Sequence, residues 1–300
     1  RRSISRLQGA TVIDDHTVEL TTDAPFPALG SILPLIVMAP SKYITENSLE
    51  QINPHPVGTG PFMLVEWVRD EHLTLEANPG TVEAGRFHEY RDVGINRLSI
   101  GIQSFDQNAL QALGRIHDGQ QAIKAVEYAH QSGFDSFNLD LMFGLPGQDE
   151  KKARHDVETA IALAPPHISY YQLTIEPNTL FYSQPPSLPD DDPIYDWQLA
   201  NQARLAEAGY KQYETSAYAQ KGHQCRHNIN YWRFGDYLGI GCGAHGKITD
   251  AANGTIHRTV KVKHPRGYME MSRPYLDTQT LVSADDLPFE FFMNRFRLVE

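Results

Sequence analysis

FDSFNLDLMFGLPGQ, residues 134–148, is the stretch that decides the fold. From Ser136 to Met142 the run mixes Phe, Leu and Met with a single acid, Asp140, and a Gly-Leu-Pro-Gly turn closes it. An apolar run this short, held between turn signals with helical patterns on either side, predicts a buried parallel strand. A carboxylate is costly to bury dry. Asp140 therefore belongs where the strand opens into a polar crevice at its carboxyl end.

The same arrangement recurs in both directions. LTLEANPG (73–80) sets Glu76 near the end of an apolar run, RLSIGIQSF (97–105) sets Gln103 there, and HISYYQLTIEP (167–177) sets Thr174 and Glu176 there. Helical patterns lie between: 81–93 with Val82, Phe87, Tyr90 and Val93, 120–131 with Ile123, Val126 and Tyr128, and 149–163 with Val157, Ile161 and Leu163. Gly94, Gly133 and the pair Pro165-Pro166 stop them. The steps from Glu76 to Gln103 to Asp140 to Thr174 are 27, 37 and 34 residues, each long enough for a right-handed strand-helix-strand crossover. This is an α/β pattern, and polar groups at successive strand ends converge on the face where such folds keep ligands. The competing reading, that each is an ordinary strand-end group capping the next helix, stays open for any one of them.

Composition narrows the function classes. Three hundred residues, 41% hydrophobic and 21% charged, suit a globular chain, and no run of eighteen apolar residues spans a membrane. A formal charge of −11, with no basic cluster to offset it, argues against nucleic acid as a partner. Two cysteines, Cys225 and Cys242, are too few for a disulfide framework, which fits a reducing compartment. The chain opens Arg-Arg-Ser without Met and stops inside a helical pattern, so it reads as cut at both ends.

The first seventy-odd residues follow another grammar. VIDDHTVEL (12–20) alternates around Asp-Asp as an antiparallel hairpin would. Prolines from Pro25 to Pro56 break up the next segment, leaving room for a short helix at 41–51, and 57–67 predicts a glycine turn and a strand. Residues 4–78, with VIDDHTVEL and VGTGPF…VEWVRDEHLTLEAN, resemble extracellular solute-binding proteins of the oligopeptide and dipeptide type. That resemblance implies an interior piece of one lobe, and a peptide-binding component of an ABC transporter as a competing function. Gly58-Thr59-Gly60 lacks the Lys-Ser/Thr of a phosphate loop.

From Leu75 onward the resemblance changes. LEANPGTVE, RLSIGIQSF, LGRIH, FNLDLMFGLPGQ, YYQLTIEPNTLF, HNINYWRFGDYLGIGCGAHG and PFEFFMNRFRL resemble radical S-adenosylmethionine proteins of the oxygen-independent coproporphyrinogen III oxidase group, and within it the HemW-type haem chaperones. The resemblance implies an incomplete (β/α) barrel lacking its first strands and a cytoplasmic bacterial home. It also implies S-adenosylmethionine bound through Glu76, Gln103, Arg115 and Asp140. Carboxylates accept from ribose hydroxyls, an amide both donates and accepts, and Arg forks onto a carboxylate. The family's 4Fe-4S cluster needs a Cys-x3-Cys-x2-Cys loop that this sequence lacks, and Cys225 and Cys242, 17 residues apart, do not replace it. Radical chemistry, catalytic residues and a cluster metal site are therefore not expected.

HNINY (227–231) matches the HNxxY motif that these chaperones are thought to use for haem. His227 is implied as axial ligand and Tyr231, one helical turn later, as second ligand or hydrogen-bond partner. His223-x-Cys225-x-His227 suggests zinc only weakly, since alternate residues of a strand face opposite ways and a fourth ligand is wanting. Residues 190–208 predict a helix with acids at its start, 210–218 a strand, 238–246 a strand entering a glycine loop, and Ser283-Ala-Asp-Asp286 the cap of an amphipathic helix bearing Phe289, Phe292, Met293 and Phe296.

The two resemblances meet at residues 73–79, a phrase that reads acceptably in both, so the chain is expected to be a chimera. Its expected parts are 1–74, solute-binding-like, 75–235, the partial barrel, and 236–300, the start of a HemW-like C-terminal region. The expected function is a truncated HemW-like chaperone with haem and a haem-acceptor protein as partners. An oxygen-independent coproporphyrinogen oxidase-like enzyme is the alternative. Proteolysis is expected to cut between about residues 40 and 80, at a loosely attached N-terminal piece.

Overall fold

The computed structural model describes residues 7–14, 17–22, 74–80, 86–92, 94–270 and 274–299. The expected helix at 41–51, the strand at 57–67 and the protease-sensitive stretch lie outside the described residues. The chain divides into two units, Arg1–Glu71 and His72–Glu300. In the first, β1 (Leu7–Asp14) and β2 (Thr17–Thr22) pair antiparallel with Val12 opposite Val18, which is the expected hairpin.

The second unit is built on strands β3 (Thr74–Ala77), β4 (Arg97–Gln103), β5 (Ser136–Phe143) and β6 (His167–Gln172), hydrogen-bonded in parallel and in chain order. Helices return the chain between them: α1 (Phe87–Asp92), α2 (Gln107–Ala112) with α3 (Gly119–Gln131), and α4 (Glu150–Ala162). Asp118 and Gln121 cap α3 reciprocally, the Asp149 side chain accepts from the Lys152 N–H at the start of α4, and Gly133 ends the α3 turn at φ +70°. The front of the expected helix at 81–93 falls on residues not described.

Strand alternation sorts the side chains. Leu98, Ile100, Ile102, Leu139, Leu141 and Ile168 are fully buried in the apolar core. Alanines supply much of the facing surface of the helices, Ala122, Ala125 and Ala129 on α3 and Ala153 and Ala160 on α4, which lets backbone approach strand closely. Each such Leu or Ile contributes about 1.5–3 kcal/mol by leaving water. The other face of the same strands is polar and holds the site.

After β6 come α5 (Leu180–Ser183) and α6 (Asp191–Glu207), whose first turn carries Asp191 and Asp192 as expected from the helix dipole. The stretch read as one strand at 210–218 is a tight hairpin, β7 (Lys211–Glu214) and β8 (Ala217–Ala219). Its turn falls at Thr215-Ser216, residues that signal a turn far more weakly than Gly or Asn, so alternation ran through it unbroken. β8 lies antiparallel between β6 and β7, and residues 297–299 pair onto the outer edge of β7: Thr215 N–H donates to Arg297 O and Val299 N–H to Tyr213 O.

The chain continues through α7 (Arg226–Trp232), β9 (His245–Asp250), β10 (Thr255–Lys261), α8 (Pro265–Tyr268), β11 (Leu276–Leu281) and α9 (Leu287–Arg295), with β9 to β11 forming a separate antiparallel sheet. No strand occupies 238–244; β9 starts only at His245. Gly239 is the reason: a Cβ there would lie 2.1 Å from His245 O, so the loop crosses the strand start too closely for a side chain or a ladder. Ser283 does not cap α9 as expected. Its Oγ accepts from Asp286 N–H, and the N-cap Asp286 makes no side-chain cap. The aromatic face of α9 is exposed, with Phe289 71% and Phe296 78% accessible. No helix among the described residues is long and apolar enough to cross a membrane.

Candidate functional site

The register brings polar side chains of four strands side by side: Glu76 opposite Ser99, Ser99 opposite Asn138, Asp140 opposite Ser169. Ser99 Oγ donates to Asp140 Oδ2 at 3.0 Å and Asn138 Nδ2 to Asp140 Oδ1 at 2.9 Å. Arg97, 3% exposed, reaches Ser136 Oγ at 2.6 Å. Burial pushes the Asp140 carboxyl up, and the hydrogen bonds from Asn138 and Ser99 oppose that. Glu76 is likewise raised, by burial first and then by the charge of Asp140. Two carboxylates on one face are suited to accept from hydroxyls or to face a cation.

Gln103 closes β4, and Arg115, in the loop between α2 and α3, reaches the end of β3. Gln103 has φ +62°, a strained conformation for a non-glycine residue, is 4% exposed, and its Oε1 is buried without a hydrogen-bond partner. Its amide folds back over Gly101, where a Cβ would stand 2.9 Å from Nε2. The loop after it is clamped by Asp156 of α4, which accepts from Ser104 Oγ at 2.8 Å and Phe105 N–H at 2.7 Å. Arg115 Nη1 donates to Asn78 Oδ1 at 3.3 Å. Tyr171, two residues on from Ser169 in β6, stands with Asp140 on the larger cleft of this face. Burial raises the pKa of its hydroxyl to about 12, Asp140 and Glu76 push the same way, and Gln103 and Arg115 oppose.

The His227 motif lies on α7, not on a strand. The N-cap is Cys225, whose N–H donates to the Tyr213 hydroxyl at 3.1 Å. His227 Nδ1 sits 3.2 Å from Cys225 Sγ, and its ring meets that of Tyr231 edge to face at 6.0 Å, the contact expected one turn apart. His227 and Asn228 line a cleft of about 130 Å³ together with Glu76 and Asp140. Asn228 and Trp232 line a larger one, about 520 Å³, together with Asp140, Ser169 and Tyr171. Thr174 stands on the rim of the larger cleft, past the end of β6.

Among the described residues no three His, Cys, Asp or Glu side chains gather to hold a metal ion, so the His223, Cys225, His227 spacing makes no zinc site. Cys225 is buried with its thiol pKa raised by burial, and Cys242 is exposed. That donor set does not fit a thiolate-held cluster. The loop at 238–246 does not approach the polar face either: Leu238 and Gly239 line a hollow of about 220 Å³ against β9 and β10. Arg97, Asn138, His167, Tyr171 and Tyr213 also build the site and were not singled out from sequence. For Arg97 and Tyr171 a signal was present as the polar alternate positions of RLSIGIQ and HISYYQ.

The profile of the family described as "Bacterial extracellular solute-binding proteins, family 5 Middle" matches residues 3–119, running beyond the 4–78 read from sequence. The chain is similar to the haem chaperone HemW of Escherichia coli, 59% identical over 231 residues that make up 77% of this chain and 60% of that protein. It is also 59% identical over 228 residues to HemW of Haemophilus influenzae, covering 76% of this chain and 59% of the relative. A mitochondrial radical S-adenosyl methionine domain-containing protein 1 of Bos taurus is 36% identical over 198 residues, 65% of this chain and 45% of that one. The chain thus spans about three fifths of the length of the HemW relatives. In fold it matches the solved radical SAM enzyme coproporphyrinogen III oxidase (HemN) from Escherichia coli, with TM-score 0.65 at 20% identity, over 77% of this chain and 56% of that one. Over about three quarters of its length this chain is HemW-like in sequence and has a mixed α/β fold, built on a parallel sheet, like that of the radical SAM enzyme HemN.

Proposed function

We propose that the chain is a HemW-like haem-binding protein, in which haem is cargo held at α7 and destined for an acceptor protein in the cytoplasm. The observation that carries this is the sharing of one cleft by His227 and Asp140. His227 of the haem motif shares that cleft with Glu76 and Asp140, two of the four residues that the resemblance assigns to S-adenosylmethionine. His227 offers an imidazole to the haem iron. Tyr231 packs on that imidazole and on Tyr237 at 4.7 Å, fixing its ring.

Glu76, Gln103, Arg115 and Asp140 fit S-adenosylmethionine by donor chemistry. The buried Gln103 Oε1 without a partner is an acceptor open to a donor, and the two carboxylates would accept from ribose hydroxyls. When bound, that cofactor supplies a sulfonium and an adenosyl group. The chain's own residues bind and orient it, and no step runs through a cluster whose ligands the sequence lacks. The second unit is read as an incomplete barrel, and the match over residues 3–119 supports its fusion to a solute-binding fragment. The alternative, a coproporphyrinogen oxidase-like enzyme, requires iron and sulfide after anaerobic reconstitution, and we expect neither.

The test is haemin titration followed at the Soret band. Wild type should bind one haemin, and His227→Ala should weaken it by at least tenfold and shift the band. An unchanged Soret spectrum and affinity in His227→Ala would overturn the ligand assignment.

A further inference from the structure

A hydrogen-bond chain crosses the polar face, and the placement of its protons follows from the partners. Asn138 Nδ2 donates to Asp140 Oδ1 at 2.9 Å and to Ser99 Oγ at 3.0 Å, which uses both amide hydrogens. Asn138 Oδ1 must then accept, and it does so from Ser169 Oγ at 3.1 Å and from His167 Nδ1 at 2.6 Å. His167 therefore carries its proton on Nδ1. In a neutral imidazole Nε2 is then the acceptor, and the Tyr213 hydroxyl at 2.8 Å donates to it. With its one hydrogen committed, the Tyr213 oxygen accepts the N–H of Cys225, the N-cap of α7.

His167 is 1% exposed, Asn138 4% and Tyr213 5%, so water competes for none of these links. Burial, and the charges of Arg97, His227 and His223, hold His167 neutral as the chain requires. Every donor points the same way, from the start of α7 toward the Asp140 carboxylate. Turning the Asn138 amide would set its oxygen against the Asp140 carboxylate, acceptor against acceptor.

We propose that His167 and Tyr213 are positioning residues that couple Asp140 to the helix bearing His227. Hydrogen bonds aligned head to tail polarise one another, so the charge on Asp140 tightens the hold on Cys225 N–H and thereby the placement of α7. A ligand that occupies Asp140 changes that hold, which makes haem affinity at α7 responsive to the other half of the cleft. What binds at each end rests on the function proposed above. The coupling is a property of these residues alone.

The test is a double-mutant cycle on the full chain, with haemin as the probe. Tyr213→Phe and Asp140→Asn should each weaken haemin binding about threefold to tenfold, the range of one hydrogen bond. The double variant should be no weaker than the weaker single one. His167→Gln, whose one amide can donate to Asn138 and accept from Tyr213, should keep near wild-type affinity and Soret shape, while His167→Leu loses both. Multiplied effects in the double variant, or equal losses in the Gln and Leu variants, would overturn the coupling. If wild type takes no haemin, the functional reading fails by itself, and the same cycle run as urea unfolding decides the chain: non-additive stability upholds it and additive stability refutes it.

Discussion

Asp156→Asn should flatten the acid side of the stability profile. Asp156 is fully buried in α4 and accepts from Ser104 Oγ, Phe105 N–H and, at 3.2 Å, Gln148 Nε2. Burial is the largest influence on its carboxyl and carries the pKa from 3.8 to about 6 against those hydrogen bonds. The folded chain therefore keeps this proton to higher pH than the unfolded chain does. The stability it contributes is fully present below the unfolded value and is lost as pH rises from about 3.8 through about 6. That displacement corresponds to about 3 kcal/mol, an upper figure for a single group. Asn cannot titrate, so urea unfolding of both proteins at intervals from pH 4 to 8 isolates the effect. The wild-type advantage over Asp156→Asn should shrink by roughly 2–3 kcal/mol across that window and stay constant above pH 7. Parallel profiles would refute the buried, late-ionising carboxyl, and with it the clamp that holds the strained end of β4 behind Gln103.

Gly101→Ala should cost under about 1 kcal/mol in urea, because its new Cβ meets only the far end of the Gln103 side chain at 2.9 Å, yet it should weaken binding of S-adenosylhomocysteine by calorimetry. Equal affinity in both proteins would remove Gln103 from the ligand set. Lys247→Met should destabilise by about 2 kcal/mol in urea. The Lys247 amine is 2% exposed, donates to Asp236 Oδ1 at 2.7 Å and Phe234 O at 3.0 Å, and lies 4.1 Å from the Phe234 ring centre; Asp236, 43% exposed, softens the loss. A change within 0.5 kcal/mol would show that this pair does not anchor β9.

The parallel core was legible because each strand ends in an unmistakable signal: Gly144-Leu-Pro-Gly147 after β5, Gly133 and Gly94 after helices. Periodicity placed α3 and α4 to within a residue, since Asp118 and Asp149 are strong caps. The hairpin at 211–219 was not legible, because Thr215-Ser216 continue the alternation that a single strand would show. The loop at 238–244 reads apolar and β-like, and only the crossing of Gly239 against His245, a tertiary contact, rules out a strand. Likewise Gln103 could be chosen from its position at the end of β4, and Asp140 as the one acid in the apolar run of β5. His167 and Tyr213 could not, because their role comes from partners 29 and 12 residues away in sequence that only the sheet register brings within hydrogen-bond reach.

Where haem sits is the point on which the account turns, and paramagnetic broadening by haemin in an amide-resolved NMR spectrum measures it directly. Signals of residues 225–232 on α7 and of Ser169 to Tyr171 on β6 should broaden first, at substoichiometric haemin, while Phe289 to Phe296 on the exposed aromatic face of α9 keep their intensity. Broadening confined to α9 would contradict the account and reduce haem uptake to adsorption on an apolar surface.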